Sequence, residues 1–589
     1  MVDEADDDAL GKAVDLAHLR RLWPFVHPYR RAFGLALLLL LISFGVELLG
    51  PWLLRQAIDG PLTAPAGGDG IVRLGLAYFA STLAGAGLGY AYAMLTTRTG
   101  QAVIRDVRAA LFAHLLDLDP GFFEKNAAGK LVTRVTSDVE NLNELIATGV
   151  LQSLFDLLKI FGVLGVLFVV DARLAWFTTL ATPVVVVTSL VFRTLARDAY
   201  RSVRGRLAKQ NAFTAEALQG VRTTRLFERE AWVDRTYGAL NESTRQAWGR
   251  TVLQFALFFS IVDFTIHCTQ VGLLWTGGSG IFAGTLSVGA FVQFWLYFGK
   301  VTDPIKELGE RYNVLQSAFA SAERIFKILD TRAAVRDLPG ARASVRGPAR
   351  LAFEHVDFAY VPGVPVLHDV DFAVQPGETV ALVGPTGAGK STVLALLSRL
   401  REPGSGRVTL DDVDLRQLTL DSVRGRIAVV PQDVFLFTGT IRDNVRLFDP
   451  AISDARVEAA LAATGADELV ARLRGGLDAR VDERGGTFSQ GERQLLSFAR
   501  ALAFDPDVLV LDEATASIDS ETEARLQRAL KVLLRGRTAV VVAHRLSTVR
   551  GADRILVLKQ GRIVEAGKHR ELMTRDGVYR RMVQHAAAP

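Results

Sequence analysis

The chain has 589 residues, of which 49% are hydrophobic and 22% charged, with a formal net charge of +5. Such a length calls for several domains, and a single cysteine, Cys268, excludes an intramolecular disulfide and a cysteine metal cluster. The basic balance does not point to nucleic acid: no zinc spacing or other nucleic-acid motif occurs, and the basic residues flank apolar runs, as they do in bilayer proteins.

In chain order, residues 1–15 form an acidic tail with no signal-peptide pattern. Residues 16–330 read as a transmembrane domain. Its first stretch, 16–31, mixes Leu19, Leu22, Trp23 and Phe25 with Arg20, Arg21, Arg30 and Arg31, which suits an elbow helix lying on the cytoplasmic membrane face. A spanning helix needs about 20 mostly apolar residues. Six stretches qualify, near 33–54, 71–95, 150–170, 174–193, 253–275 and 279–299, with a short turn at Asp171-Ala172-Arg173 and a break at Gly277-Gly278-Ser279-Gly280.

Charge sets their orientation. The segment 193–250 carries Arg197, Arg201, Arg204, Arg206, Lys209, Arg222, Arg225 and Arg229, and 96–149 carries Arg98, Arg105, Arg108, Lys125, Lys130 and Arg134. Residues 276–287 have no charge, and 56–70 have no basic residue. The two charged segments are therefore expected in the cytoplasm as long helical extensions, with both termini on that side.

Ionisable groups inside spans are costly and often functional. Glu47 lies in the first span, and Asp156 and Lys159 are spaced to pair in the third. Asp263, His267 and Gln270 share a face of the fifth. Glu47, Asp263 and His267 are candidate lining of a substrate cavity for an amphipathic or weakly cationic compound. The alternative is helix–helix hydrogen bonding without a ligand.

Residues 331–349 read as a polar linker, and 350–589 alternate β-branched runs with helical segments, an α/β pattern. Within them stands Gly384-Pro385-Thr386-Gly387-Ala388-Gly389-Lys390-Ser391, after the apolar run 379–383 and before a helix expected over 391–400 that includes Thr392. This is a Walker A phosphate loop. Its glycines let backbone amides cradle anionic oxygens, Lys390 reaches the β- and γ-phosphates, and Ser391 holds Mg²⁺. The run 508–513 ends in Asp512 and Glu513, a Walker B pattern in which Asp512 holds Mg²⁺ through water and Glu513 polarises the attacking water.

On these motifs the carboxy-terminal part resembles an ABC-family nucleotide-binding domain, and the six spans ahead of it resemble those of an ABC exporter half-transporter. The resemblance implies a membrane α-helical domain with six transmembrane helices, fused to an α/β P-loop NTPase domain. It also implies ATP and Mg²⁺ as cofactors and assigns further residues. Tyr360 matches the aromatic that stacks on adenine. Gln432 matches the glutamine that senses Mg²⁺ and the γ-phosphate. Ser489 and Gly491 stand in the signature, Asp519 in the D-loop, and His544 at the switch position. Glu513 and His544 are then the catalytic pair. Residues 120–123 and 220–222 match coupling helices.

The signature departs from the family's Leu-Ser-Gly-Gly-Gln. Here it reads Phe488-Ser489-Gln490-Gly491-Glu492, which puts a carboxylate where the family has an amide. With Walker A, Glu513 and His544 intact, the pattern resembles one subunit of a heterodimeric exporter with unequal sites; the alternative is a homodimer that tolerates a variant signature. The expectation is an ATPase in the inner or plasma membrane that exports a drug, lipid or peptide by alternating access. The alternative is an ATP-gated channel or regulator of the same fold. Without an amino-terminal peptidase-like domain, leader-peptide processing is not expected.

Overall fold

A computed structural model describes residues 16–63, 68–513, 520–543 and 545–587. The chain divides into two compact units: residues 128–331 with the chain before 117, and residues from 332 onward with the segment 117–127.

The first unit is helical. The elbow helix Leu16–Val26 precedes six long helices: Arg30–Asp59, Gly68–Asp117, Val150–Val170, Ala172–Gln219, Glu230–Phe282 and Val288–Asp330. They correspond in order to the six expected spans, and the second, fourth, fifth and sixth continue beyond them as long extensions. Among the described residues, four helical stretches each contain an apolar window long enough to cross a bilayer, namely Arg20–Asp59, Gly68–Asp117, Ala128–Val170 and Glu230–Phe282, and Ala172–Thr188 is a shorter apolar helix.

Side-chain caps set two of the breaks. Asp171 accepts hydrogen bonds from the amides of Arg173 and Leu174, which ends the third long helix and starts the fourth. Ser287 accepts from the Ala290 amide and starts the sixth. The break expected at Gly277-Gly278-Ser279-Gly280 lies later. The helix runs through these glycines to Phe282 and turns at Gly284, whose φ is +70°. Gly277 serves packing instead, since a Cβ there would lie 2.4 Å from the Phe291 ring.

Ile160, Val163 and Leu167 of the third long helix meet Val262, Ile266 and Leu273 of the fifth and Phe294, Tyr297 and Val301 of the sixth in one apolar core. Much of the remaining apolar surface points outward: Phe161 is 70% exposed. Outward apolar surface is what a lipid-facing helix presents.

The second unit carries the sheets. Strands β1 (Leu351–Val361), β2 (Val364–Val374), β4 (Ser405–Leu410) and β5 (Val413–Asp414) form an antiparallel sheet in the order β2-β1-β4-β5. A second sheet has the order β12-β11-β3-β10-β9-β6, from β3 (Thr379–Val383), β6 (Ile427–Val430), β9 (Val508–Glu513), β10 (Thr538–Ala543), β11 (Arg554–Lys559) and β12 (Arg562–Gly567). Neighbours from β11 through β6 are parallel, and β7 (Gly439–Thr440) pairs with β8 (Arg480–Val481) in a separate antiparallel ribbon. In a strand alternate residues face opposite sides. Here Ala539 and Val541 enter one core and Val540 and Val542 the other. With both faces covered, such strands read as unbroken apolar runs. The stretch 332–349 lies along this unit: Arg342 donates its amide to Gln417 O at 2.9 Å, and Ala349 is buried.

Candidate functional site

The phosphate loop follows β3 and enters the helix Lys390–Leu397. Gly387 and Gly389 have φ of +78° and +102°, the left-handed region that glycine enters without strain. Gly384 answers a different demand, because a Cβ there would lie 2.1 Å from the Leu558 carbonyl oxygen. The helix is shorter than the expected 391–400. The Ser398 hydroxyl donates to Leu394 O, and Arg399 turns to φ +46°. Pro385, Thr386, Gly387 and Ser391 are exposed, whereas Ala388, Gly389, Lys390 and Thr392 are buried.

Lys390 Nζ donates to Gly384 O at 2.7 Å and Pro385 O at 3.0 Å, so its ammonium is held inside its own loop. Burial pushes its pKa below the ordinary lysine value, and the charge of Asp512 opposes the shift. A buried cation whose hydrogen-bond acceptors among the described residues are carbonyls gains strongly from an entering polyphosphate. The glycine cradle and this lysine therefore fit a nucleoside triphosphate.

Sheet order gathers the remaining groups. Because β3, β10, β9 and β6 are adjacent and parallel, their carboxyl ends share one edge, where α/β folds bind ligands. The loop follows β3, Asp512 and Glu513 close β9 beside Val542 and Ala543 of β10, and Gln432 follows β6 by two residues. Gln432 also lines a small pocket with Gln490, Arg493 and Gln494. The Glu513 side chain, His544 and Asp519 lie outside the described residues.

Tyr360 is on β1, its hydroxyl donating to Thr392 Oγ1 at 3.2 Å. The guanidinium of Arg401 stands 5.5 Å from its ring centroid. Arg401 also pairs with Glu124 and lies 3.8 Å from Asp119. Asp119 caps the helix Pro120–Lys125 by accepting from the Gly121 amide at 2.9 Å. Nothing in the sequence pattern marked Arg401, which joins the first expected coupling segment to the aromatic. Arg401→Ala is expected to raise amide exchange across residues 121–125 of the full chain about tenfold, for a loss of about 1.4 kcal/mol. Unchanged exchange there would show that the guanidinium does not hold the segment.

At the signature, Ser489 caps the helix Gln490–Ala503 and accepts from the Glu492 amide at 3.2 Å. The Glu492 carboxylate accepts from the Ser489 amide at 2.8 Å. The extra negative charge thus sits on the helix N-terminus, where it offsets the positive end of the dipole. Gln490 is exposed and Gly491 buried.

In the helical unit, Glu47 is not available to a cationic compound. Its Oε2 is 2.9 Å from Lys159 Nζ and its Oε1 is 2.8 Å from Lys300 Nζ. This bond crosses helices, a partner for Lys159 that its spacing from Asp156 does not give. Lys300, a lone lysine after an apolar run, is the signal in the sequence that points to this pair. Asp263 and His267 are exposed on the helix Glu230–Phe282, with His267 Nδ1 2.7 Å from Asp263 O.

The ABC transporter transmembrane region matches residues 33–305, and the ABC transporter domain matches residues 367–516. A Bacillus subtilis ABC transporter ATP-binding protein is 38% identical over 98% of this chain and 96% of its own length. A fatty acid ABC transporter ATP-binding/permease protein of Mycobacterium tuberculosis is 37% identical over 85% of this chain and 79% of its own. The solved structure of a bacterial Atm1-family ABC exporter with ATP bound superposes with a TM-score of 0.80 at 28% identity, covering 95% of this chain and 99% of that one.

Proposed function

The chain belongs to the ABC transporter family, and on that premise we propose that it is one half of an exporter that moves an amphipathic substrate by alternating access. Its ATPase activity is coupled to transport, and it is a multi-pass membrane protein. The observation that supports the reading is the shared carboxyl edge of β3, β9 and β6, along which Lys390, Asp512 and Gln432 are found.

In this reading the loop amides and Lys390 bind the phosphates of ATP. Ser391, Asp512 and Gln432 are the residues that would hold Mg²⁺, which supplies charge neutralisation at the γ-phosphate when bound. Tyr360 stacks on adenine. Glu513 takes a proton from the attacking water, and His544 orients the γ-phosphate. Asp519 and the signature pair Ser489 and Gly491 serve the site completed across a dimer. Both termini are cytoplasmic, because the basic residues gather in the two extended segments. The fatty acid transporter among the relatives supports an amphipathic cargo.

Two units of this kind make a complete transporter, and a heterodimer is the better reading. The Glu492 charge disfavours an anion at this chain's own signature, while Walker A is intact. The second coupling segment, Val221–Leu226, leaves Leu226 and Phe227 exposed, as a surface awaiting a partner would. The native mass of a tagged complex drawn from its own membranes tests this. A second, different chain of similar size is expected, and two copies of this chain alone would refute the asymmetry. ATP-driven uphill uptake into inverted vesicles separates a pump from an ATP-gated channel.

A further inference from the structure

We propose that Lys159 and Lys300 form a binding site for the anionic headgroup of an amphiphile, a carboxylate or a phosphate, with Glu47 as the resident counterion that the headgroup displaces. The proposal deepens the amphipathic cargo proposed above and rests on it. One carboxylate serves two ammonium groups here, at 2.9 and 2.8 Å. The three side chains alone therefore leave one positive charge over.

Their depth agrees from three directions. Glu47 precedes Asp59 by twelve residues, Lys159 precedes Asp171 by twelve, and Lys300 follows Val288 by twelve. Asp59 accepts from Ser287 Oγ at 2.6 Å and from the Gly289 amide at 2.8 Å, which pins two of these helix ends to one rim. At 1.5 Å per residue the cluster lies about 18 Å below that rim, past the middle of a hydrocarbon core about 30 Å thick.

A charge at that depth is expensive, and intramembrane ionisable groups mark substrate pathways. Helix glue alone would need one lysine per glutamate. The second adds desolvation cost and a charge that Glu47 does not match, a role open to a visiting anion. The cluster is also not sealed, since Lys159, Lys300 and Glu47 keep 22%, 28% and 32% of their side-chain surface. Lys159 Nζ stands 4.9 Å from the Phe155 ring centroid, and Phe44 and Leu48 pack nearby, so an acyl chain finds apolar neighbours. Among the described residues a second negative charge is offered by Asp156, buried three positions before Lys159. The test therefore includes it.

The native complex in nanodiscs is titrated with oleate, lysophosphatidate, oleyl alcohol, oleylamine and inorganic phosphate, reading direct binding and, separately, ATPase stimulation. Oleate and lysophosphatidate are expected to bind at least tenfold more tightly than the alcohol or the amine. Lys159→Gln and Lys300→Gln are each expected to weaken that binding about tenfold or more, with Lys→Arg restoring it and Glu47→Gln tightening it. Equal binding of the alcohol, or oleate affinity untouched in the Lys159→Gln/Lys300→Gln double variant, overturns the site. So does competition by inorganic phosphate as effective as that by lysophosphatidate. Oleate affinity that appears only after Asp156→Asn also overturns it, because Asp156 would then be the missing counterion. Lysine-dependent oleate binding without ATPase stimulation or transport leaves the site standing and removes the transport reading instead.

Discussion

Glu513→Gln is expected to leave ATP binding intact while lowering turnover by about 10²- to 10⁴-fold, the usual contribution of a general base. The fold supplies the reason. Glu513 is the last residue of β9, paired in register with Ala543 at the end of β10, and one step beyond Asp512. That backbone position is on the carboxyl edge of the sheet, the edge from which the phosphate loop leaves β3. The substitution keeps shape and removes only the capacity to accept a proton. Binding of a fluorescent ATP analogue and phosphate release, measured on the same preparation, separate the two effects. Near-normal phosphate release would end the assignment of Glu513, and loss of binding would mean that the carboxylate serves nucleotide or metal affinity instead. Lys390→Ala provides the contrast, because its ammonium is the buried cation of the loop and its removal should weaken binding itself.

The nucleotide half was legible because its chemistry is local. Walker A needs left-handed glycines and an approach to Leu558 that no side chain permits, and those demands are written into eight consecutive residues. The order of spans was legible for a similar reason, since bilayer thickness fixes a run length. What escaped depends on distant parts of the chain meeting. Lys300 and Glu47 are 253 residues apart and Arg401 and Glu124 are 277 apart, so no window of sequence contains either pair. The glycine run 277–280 is ambiguous in sequence because glycine marks both turns and close packing, and at Gly277 the Phe291 ring decides for packing. The role of Glu492 was half legible: the charge is in the sequence, but its bond to the Ser489 amide belongs to the helix cap.

A second large effect is expected outside both the nucleotide site and the spans. Asp138 lies in a π-helical turn, Arg134–Asp138, twelve residues before the helix Val150–Val170, and is buried. It accepts from Arg134 Nη1 at 2.7 Å, from Arg324 Nη2 at 2.6 Å and Nε at 3.0 Å, and from Ser321 Oγ at 3.0 Å. Asn141 bonds the same serine, so the network ties this turn to the helix Val288–Asp330. Asp138→Asn preserves volume but leaves two guanidinium groups facing a neutral amide, and breaking a buried pair from one side costs about 3–5 kcal/mol. Burial opposes ionisation of Asp138, but the bonds from Arg324 and Arg134 outweigh it and hold the carboxyl below the usual carboxylate value. A lowered folded value means stability that is present above the unfolded value, about 3.9, and is lost as pH falls through the folded one. The gap between wild type and Asp138→Asn in thermal unfolding should therefore be full at pH 7 and close progressively below about pH 4. A gap that stays constant into acid would assign the loss to packing rather than charge. No gap at pH 7 would mean that the two arginines find water as readily as they find Asp138, and that the network positions these helices without stabilising them.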